Sequence, residues 1–108
     1  MVRKLSEIKK ILKSYKSELK ANGVRVTKMF LYGSYARGNA KSYSDIDVVV
    51  VSSDLARFSP LKRQEFLAKR TIPMNAPLEV IGYTPTEFSR SKDTIFGQIF
   101  HETGMVLN

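Results

Sequence analysis

Asp45 and Asp47 are the residues of this sequence whose types and spacing most directly suggest chemistry. In an extended strand, residues i and i+2 project from the same face, so the Cα atoms of these aspartates would lie about 6–7 Å apart. Two like charges that close in an apolar strand are unfavourable unless a cation lies between them. Hard divalent cations such as Mg²⁺ bind carboxylate oxygens together with phosphate oxygens. The pair therefore predicts a metal site; the alternative is a strand start whose aspartates face water.

Gly33 and Ser34, separated from the aspartates by ten residues, form a second candidate feature. A strand that ends in Gly-Ser and leads into a polar turn exposes backbone N–H groups that can bind phosphate. The hydroxyl of Ser34 can also bond a phosphate oxygen, and Arg37 and Lys41 would supply positive charge nearby. Gly-Ser alone is equally typical of an ordinary turn. Together with the aspartates, it predicts nucleotide phosphates beside a metal site.

The periodicity of the surrounding sequence predicts the elements that position these residues. Apolar residues at helical spacing predict an amphipathic helix over residues 3–21, which Gly23 ends. Runs of β-branched and aromatic residues predict strands at Val24–Tyr32, Asp45–Val51 and Leu78–Tyr83, with a short edge strand at Met105–Leu107. The polar segment between the first two strands has room for one short helical turn.

Helices are predicted to fill the rest of the chain. A helix from Pro60 to about Arg70 would connect the second and third strands. We expect three of its residues to face the core: Leu61, Phe66 and Leu67. Further helical segments are predicted from Pro85 and over Thr94–Glu102. The four consecutive valines of the second strand predict burial on both faces. The fold class is therefore α/β (α+β with a mixed sheet), as one domain over residues 1–108.

Composition excludes several classes of protein. The 108 residues contain no Cys, which excludes disulfides, thiolate metal sites and a cysteine nucleophile. No apolar run approaches the roughly 20 residues that span a bilayer, and lysines interrupt the N-terminal segment, so neither a membrane protein nor a secretory signal is expected. We expect a cytoplasmic protein.

The net charge of +8 is unevenly distributed, because residues 1–28 carry nine Lys or Arg against two Glu. Such a charge favours an anionic partner, including nucleic acid. The alternative is that the lysines form the solvated face of the first helix.

The stretch GSYARG followed by SDIDVVVV resembles the signature of the nucleotidyltransferase superfamily typified by DNA polymerase beta, in its minimal nucleotidyltransferase (MNT) branch. The resemblance covers nearly the whole chain and implies a palm-like domain with a small mixed sheet flanked by helices. It also implies a third carboxylate on a neighbouring strand, for which Glu79 is the candidate. The family more often has Asp there, and an exposed edge position is the alternative for Glu79.

The resemblance implies a mechanism. Asp45 and Asp47 would hold two Mg²⁺ ions, Glu79 would complete the second site and accept a hydroxyl proton, and ATP would be the substrate. The product would be an adenylylated acceptor. Members of this branch are commonly paired with a HEPN-family ribonuclease toxin, whose Tyr the MNT antitoxin adenylylates. Nucleic acid would then be involved only through the substrate of the toxin.

Several alternatives remain open at this point. The chain could instead act on a small molecule, in which case 108 residues leave little surface for the acceptor and a partner subunit or homo-oligomer would be needed. It could also be a non-catalytic module that binds a toxin or a nucleotide, or bind nucleic acid through its basic first helix. Tyr35 and Tyr43 are candidates for stacking on a base, with packing or surface roles as the alternative. We expect His101, Phe96 and Phe100 to be structural, and Glu87 and Glu102 to be surface charges.

Overall fold

The computed structural model describes residues 2–91 and 105–106. Within these residues, one sheet contains four strands: β1 (Lys28–Tyr32), β2 (Ile46–Val51), β3 (Leu78–Tyr83) and β4 (Met105–Val106). Their order across the sheet is β3-β2-β1-β4. β2 and β3 are parallel, whereas β1 is antiparallel to both β2 and β4. The predicted mixed sheet is confirmed, as is the edge position of the last strand.

In the part of the chain that the structure describes, four α-helices accompany the sheet: α1 (Leu5–Ala21), α2 (Gly33–Arg37), α3 (Pro60–Lys69) and α4 (Pro85–Ser91). Helix α3 lies in the predicted crossover between the parallel strands, preceded by a 3₁₀ turn at Ser53–Arg57. Helix α2 is the predicted short turn and begins directly at the end of β1. Within the part of the chain that the structure describes, no helix is long and apolar enough to cross a membrane. The predicted helix over Thr94–Glu102 lies outside the described residues.

The main core lies between α1, α3 and one face of the sheet. The apolar stripe of α1 contributes four buried residues: Ile8, Leu12, Tyr15 and Leu19. The Tyr15 hydroxyl donates a hydrogen bond to the Leu67 carbonyl oxygen of α3 at 2.8 Å, which ties the two helices together. Helix α3 packs closely on β3 at Gly82, where an added Cβ would lie 2.5 Å from Leu67 Cδ1. The four valines of β2 are buried, as predicted, and they divide between the two faces of the sheet.

One predicted boundary and one predicted core residue were wrong. The first strand begins at Lys28 rather than Val24, because the preceding backbone bonds to other elements: the N–H of Val24 donates to the Leu19 carbonyl at 2.9 Å, and that of Arg25 to Asp54 Oδ2 at 2.9 Å. In α3, Leu61 does not face the core but is 69% exposed. It lies in the first turn, on the solvent side of a helix whose buried side is set by Leu67.

Candidate active site

Asp47 lies at the centre of a row of side chains that crosses three strands. It is paired with Tyr32, the last residue of β1, in the antiparallel register, and with Glu79 of β3 in the parallel register. Residues paired in this way project from the same face of a sheet. The structure therefore brings together two predicted carboxylates that are far apart in the sequence. The two carboxyl groups are close enough to share a hydrogen bond when one of them is protonated, which raises the pKa of Asp47.

The electrostatics of this row are unfavourable for a second negative charge. The pKa of Asp47 is raised to about 6, first by partial burial and then by the charge of Glu79, the charge of Asp45 and the hydrogen bond with Glu79. The positive charge of Arg37 acts in the opposite direction. Clustered carboxylates of this kind are typical of sites that bind a cation or a proton.

Asp45 lies one residue before β2 rather than within it, so the predicted strand start was early by one position. The N–H of Ile46 donates to the Pro77 carbonyl oxygen at 2.8 Å, which fixes the beginning of β2 against the residue that precedes β3. Asp45 and Glu79 are exposed, and Asp47 is half-buried. The carboxylates therefore lie at an open edge of the sheet that a substrate can approach.

Gly33 brings the backbone directly against the Asp47 carboxylate. Its φ of +73° lies in the left-handed region that favours glycine. A Cβ at this position would overlap Asp47 Oδ2 and lie 3.1 Å from Asp47 Cγ. A side chain at position 33 would thus displace the carboxylate. In the sequence, Gly33 and Asp47 are linked only by the motif, whereas in the structure they are in contact.

The other predicted phosphate-binding residues differ in how closely the structure links them to this row. Arg37, in the last turn of α2, is exposed and near enough to affect Asp47 electrostatically. Ser34 is half-buried, and its carbonyl accepts from the N–H of Asn39 at 3.0 Å. Lys41 uses its backbone to close a turn with Ser44. A role for its ammonium group stays a prediction.

Tyr32 is a neighbour of the carboxylates that sequence reasoning missed. Burial raises its pKa, and the charges of Asp47 and Glu79 raise it further. The signal was available, because a residue that directly precedes Gly33 at the end of β1 must pair near the start of an antiparallel neighbour. With only 9% of its surface exposed, Tyr32 packs beside the carboxylates at the β1 end of the row.

The carboxylates at this site fit one mode of Mg²⁺ binding. Among residues 2–91 and 105–106, no three Asp, Glu or His side chains converge as a ready set of metal ligands. Mg²⁺ is usually bound by one or two carboxylates together with substrate phosphates, rather than by a cage of protein ligands. Asp47 and Glu79, with Asp45 nearby, meet that description, since their mutual repulsion would be relieved by a cation.

The remaining candidates have other environments. Tyr35 packs against the core, and its hydroxyl accepts a hydrogen bond from the Arg3 N–H at 3.4 Å, which favours the packing role. Tyr43 is 82% exposed. Glu87 is more than a surface charge, because it exchanges hydrogen bonds with Thr84 as a capping box and binds Arg63. The remaining predictions, for Phe96, Phe100, His101 and Glu102, lie outside the described residues.

A comparison with known families identifies the chain. The sequence model of the nucleotidyltransferase domain family matches residues 5–98, a range that includes every element from α1 to α4. The chain belongs to this nucleotidyltransferase family. The resemblance drawn from the Gly-Ser and Asp-x-Asp motifs is thus confirmed, and the row around Asp47 lies within the matched domain.

Known proteins similar to this nucleotidyltransferase extend the comparison. "Putative protein adenylyltransferase MJ1215" of Methanocaldococcus jannaschii is 54% identical over 46 residues, which cover 43% of this chain and 52% of that protein. A crystal structure of a toxin-antitoxin with AMP-PNP is 25% identical, covers 96% of this chain and 73% of that one, and has a TM-score of 0.63. A nucleotidyltransferase structure from Sulfolobus solfataricus, 19% identical, covers 94% and 77% with a TM-score of 0.61 and supports the fold. The nucleotidyltransferase spans about half the length of its curated relatives.

Proposed function

We propose that this nucleotidyltransferase transfers AMP from ATP to a hydroxyl group on a partner protein. The observation that supports this most directly is the pairing of Asp47 with Glu79 across β2 and β3, with the backbone of Gly33 against the Asp47 carboxylate. An acidic, open edge beside a glycine turn suits a metal-bound triphosphate better than it suits an apolar ligand.

Three carboxylates have separate tasks in this proposal. Asp45 and Asp47 would hold two Mg²⁺ ions, and Glu79 would complete the second site. When bound, Mg²⁺ neutralises the charge of the triphosphate and lowers the pKa of the acceptor hydroxyl. Glu79 is exposed, so an incoming hydroxyl can approach it and transfer its proton to the carboxylate.

The residues after β1 bind the phosphates. The backbone of Gly33 allows a phosphate oxygen to come close, the hydroxyl of Ser34 donates to it, and Arg37 and Lys41 supply positive charge. The acceptor oxygen attacks the α-phosphorus in line while the bond to the bridging oxygen of the β-phosphate breaks. Pyrophosphate leaves, and the acceptor keeps the AMP unit.

The proposed acceptor is a tyrosine of a HEPN-family ribonuclease, for which this chain would be the antitoxin. Two comparisons support this choice: relatives named as protein adenylyltransferases, and a structural neighbour from a toxin-antitoxin with AMP-PNP. The basic surface of α1 would contribute to docking, because its lysines lie on the side opposite the buried stripe. The predicted cytoplasmic location belongs to the same proposal.

The test is to incubate the chain with labelled ATP, Mg²⁺ and the product of the adjacent gene, and to measure intact masses. We expect one or more AMP units on the partner, and none when the metal is chelated. Asp47→Asn should abolish the transfer. Asp54→Asn is the matched control, because it makes the same change at a carboxylate that accepts the Arg25 N–H at the other end of the sheet.

Other outcomes would favour the alternatives. Release of pyrophosphate only with a small-molecule acceptor would show that the acceptor is a small molecule rather than a protein. A tight complex with the partner and no turnover with any acceptor would indicate a binding module. Undiminished transfer by Asp47→Asn would contradict the assignment of the site.

A further inference from the structure

Tyr43 differs from the other tyrosines of the chain. Tyr15 and Tyr32 are buried, and Tyr35 and Tyr83 are half-buried. Tyr43 is 82% exposed, which is unusual for a large aromatic side chain. Its position neither fills the core nor packs against a neighbouring helix, so packing does not account for a tyrosine here.

The loop that carries Tyr43 is held at both ends beside the carboxylates. On one side, the N–H of Asn39 donates to the Ser34 carbonyl at 3.0 Å. On the other, the N–H of Ile46 donates to the Pro77 carbonyl at 2.8 Å. A chain fixed at these two points keeps the intervening residues near the edge where Asp47 and Glu79 meet.

A tight turn places Tyr43 at the outer part of this loop. The Lys41 N–H donates to Ser44 Oγ at 2.8 Å, and the Ser44 N–H donates back to the Lys41 carbonyl at 3.1 Å. Tyr43 therefore precedes Asp45 by two residues, and their Cα atoms are at most about 7 Å apart. That distance is comparable to the length of a tyrosine side chain, so its hydroxyl can reach the neighbourhood of Asp45.

We propose that Tyr43 is an acceptor of the AMP unit, so that the chain adenylylates itself. The inference rests on the proposed function, because it assigns a second phenol to the same site. Tyr43 Oη forms a bond to the α-phosphorus of ATP, and the bond from that phosphorus to the bridging oxygen of the β-phosphate breaks. Pyrophosphate carries away the electron pair, and the phenol proton passes to Glu79.

Tethering favours a reaction within one chain. A hydroxyl attached two residues from Asp45 has a far higher effective concentration at the site than a hydroxyl of another molecule. The product would carry a phosphodiester and an adenosine at the rim of the site. Because that group would occupy space next to Asp45, the modified chain should transfer less AMP to its partner.

The test uses the full chain with ATP and Mg²⁺, first without any partner. Intact mass should show one added AMP unit, and peptide mapping should place it on Tyr43. Tyr43→Phe should remove the label completely, whereas Tyr35→Phe, the matched control in the preceding helix, should keep it. The labelled fraction at a given time should not change when the chain is diluted.

Each failure has a distinct meaning. If the chain transfers AMP to the partner and Tyr43 stays unlabelled, the inference is wrong and the proposed function stands. Label that persists in Tyr43→Phe also overturns it, and labelling that rises with chain concentration contradicts the intramolecular route. If neither the partner nor the chain acquires AMP, both proposals fall.

Discussion

Asp47 and Glu87 are two carboxylates near opposite ends of β3 whose pKa values shift in opposite directions. Asp47 is raised to about 6 by burial and by neighbouring carboxylates. For Glu87, burial would raise the pKa, but hydrogen bonds and charge from Arg63, together with hydrogen bonds from Thr84, outweigh it and lower the pKa. Asp47 has mainly negatively charged neighbours, whereas Glu87 is paired with the positively charged Arg63.

This difference distinguishes a carboxylate of the candidate active site, Asp47, from one that stabilises the fold, Glu87. Arg63 Nη1 lies 2.6 Å from Glu87 Oε1 and 3.3 Å from the Gly82 carbonyl, so the end of β3, helix α3 and helix α4 are joined through one side chain. Such a paired group stabilises the fold. The Asp47 carboxylate, by contrast, faces the like charges of Glu79 and Asp45, which the charge of Arg37 offsets only in part, so a cation or a proton there would be stabilising.

Asp47→Asn should separate activity from stability most clearly. We expect AMP transfer to fall by about 10³-fold or more, because the change removes a charge that binds the metal and the triphosphate. Without metal, the melting temperature should stay the same or rise, since like-charge repulsion with Glu79 and Asp45 is relieved. A large loss of stability in thermal unfolding would mean that Asp47 serves the fold instead.

Gly33→Ala should affect both properties. The new Cβ would overlap Asp47 Oδ2, so transfer should fall by roughly 10²-fold, and the φ of +73° should lower the free energy of unfolding by about 1–2 kcal/mol. Gly38→Ala is the matched control, because its φ is +77° but a Cβ there meets nothing within 4 Å. Equal loss of transfer in the two variants would show that strain, rather than contact with Asp47, is responsible.

Glu79 should be sensitive to charge and less so to length. Glu79→Gln keeps the shape but removes the charge and the capacity to accept a proton, and we expect transfer to fall by about 10–10²-fold. Glu79→Asp keeps the charge and should retain most of the activity. The measurement is the rate of transfer by each variant with saturating ATP. Identical rates for Glu79→Gln and the unmodified chain would mean that Glu79 is only an exposed residue at the edge of the sheet, without a role in transfer.

Glu87→Gln should have the smallest effect, and on stability alone. Because the side chain is 44% exposed, loss of the ion pair should lower the free energy of unfolding by only about 0.5 kcal/mol. A lowered pKa stabilises the fold above the ordinary value of 4.5, and that contribution disappears as the pH falls through the lowered value. Urea unfolding at neutral pH and in acid should therefore show a difference that vanishes in acid.

Glu65→Gln is the control for this last prediction. Glu65 lies 3.7 Å from Lys62 with both side chains more than half exposed, and at neutral pH its removal should change stability less than that of Glu87. A difference between Glu87→Gln and the unmodified chain that grows in acid would have the wrong sign for a lowered pKa.

Much of the fold could be predicted from local patterns. The apolar stripe of α1, the four valines of β2 and the Pro60 that begins α3 each depend on residues close in sequence. The boundaries that were missed depend on distant partners. Residues 24–27 have a strand-like composition, but the N–H of Val24 bonds back to the end of α1, and the Thr27 N–H bonds to the carbonyl oxygen of Val51, the last residue of β2.

The site shows the same division. The motif located Asp45, Asp47 and Gly33, and the resemblance supplied Glu79. The position of Tyr32 beside the carboxylates follows only once β1 is known to pair antiparallel with β2, and the contact of Gly33 with Asp47 appears only in the folded backbone. The Thr84–Glu87 capping box was recognisable in sequence, whereas the Arg63 that binds Glu87 comes from another helix.

The parallel pairing of β2 with β3 also bears on how the chain folds. Asp47 and Glu79 meet only after the 3₁₀ turn and α3 have closed the crossover, and contacts between distant segments form late because loop closure opposes them. The carboxylate pair therefore exists only in a chain whose crossover has closed. Any ligand that binds only this completed arrangement would stabilise the folded state and protect the crossover from proteolysis.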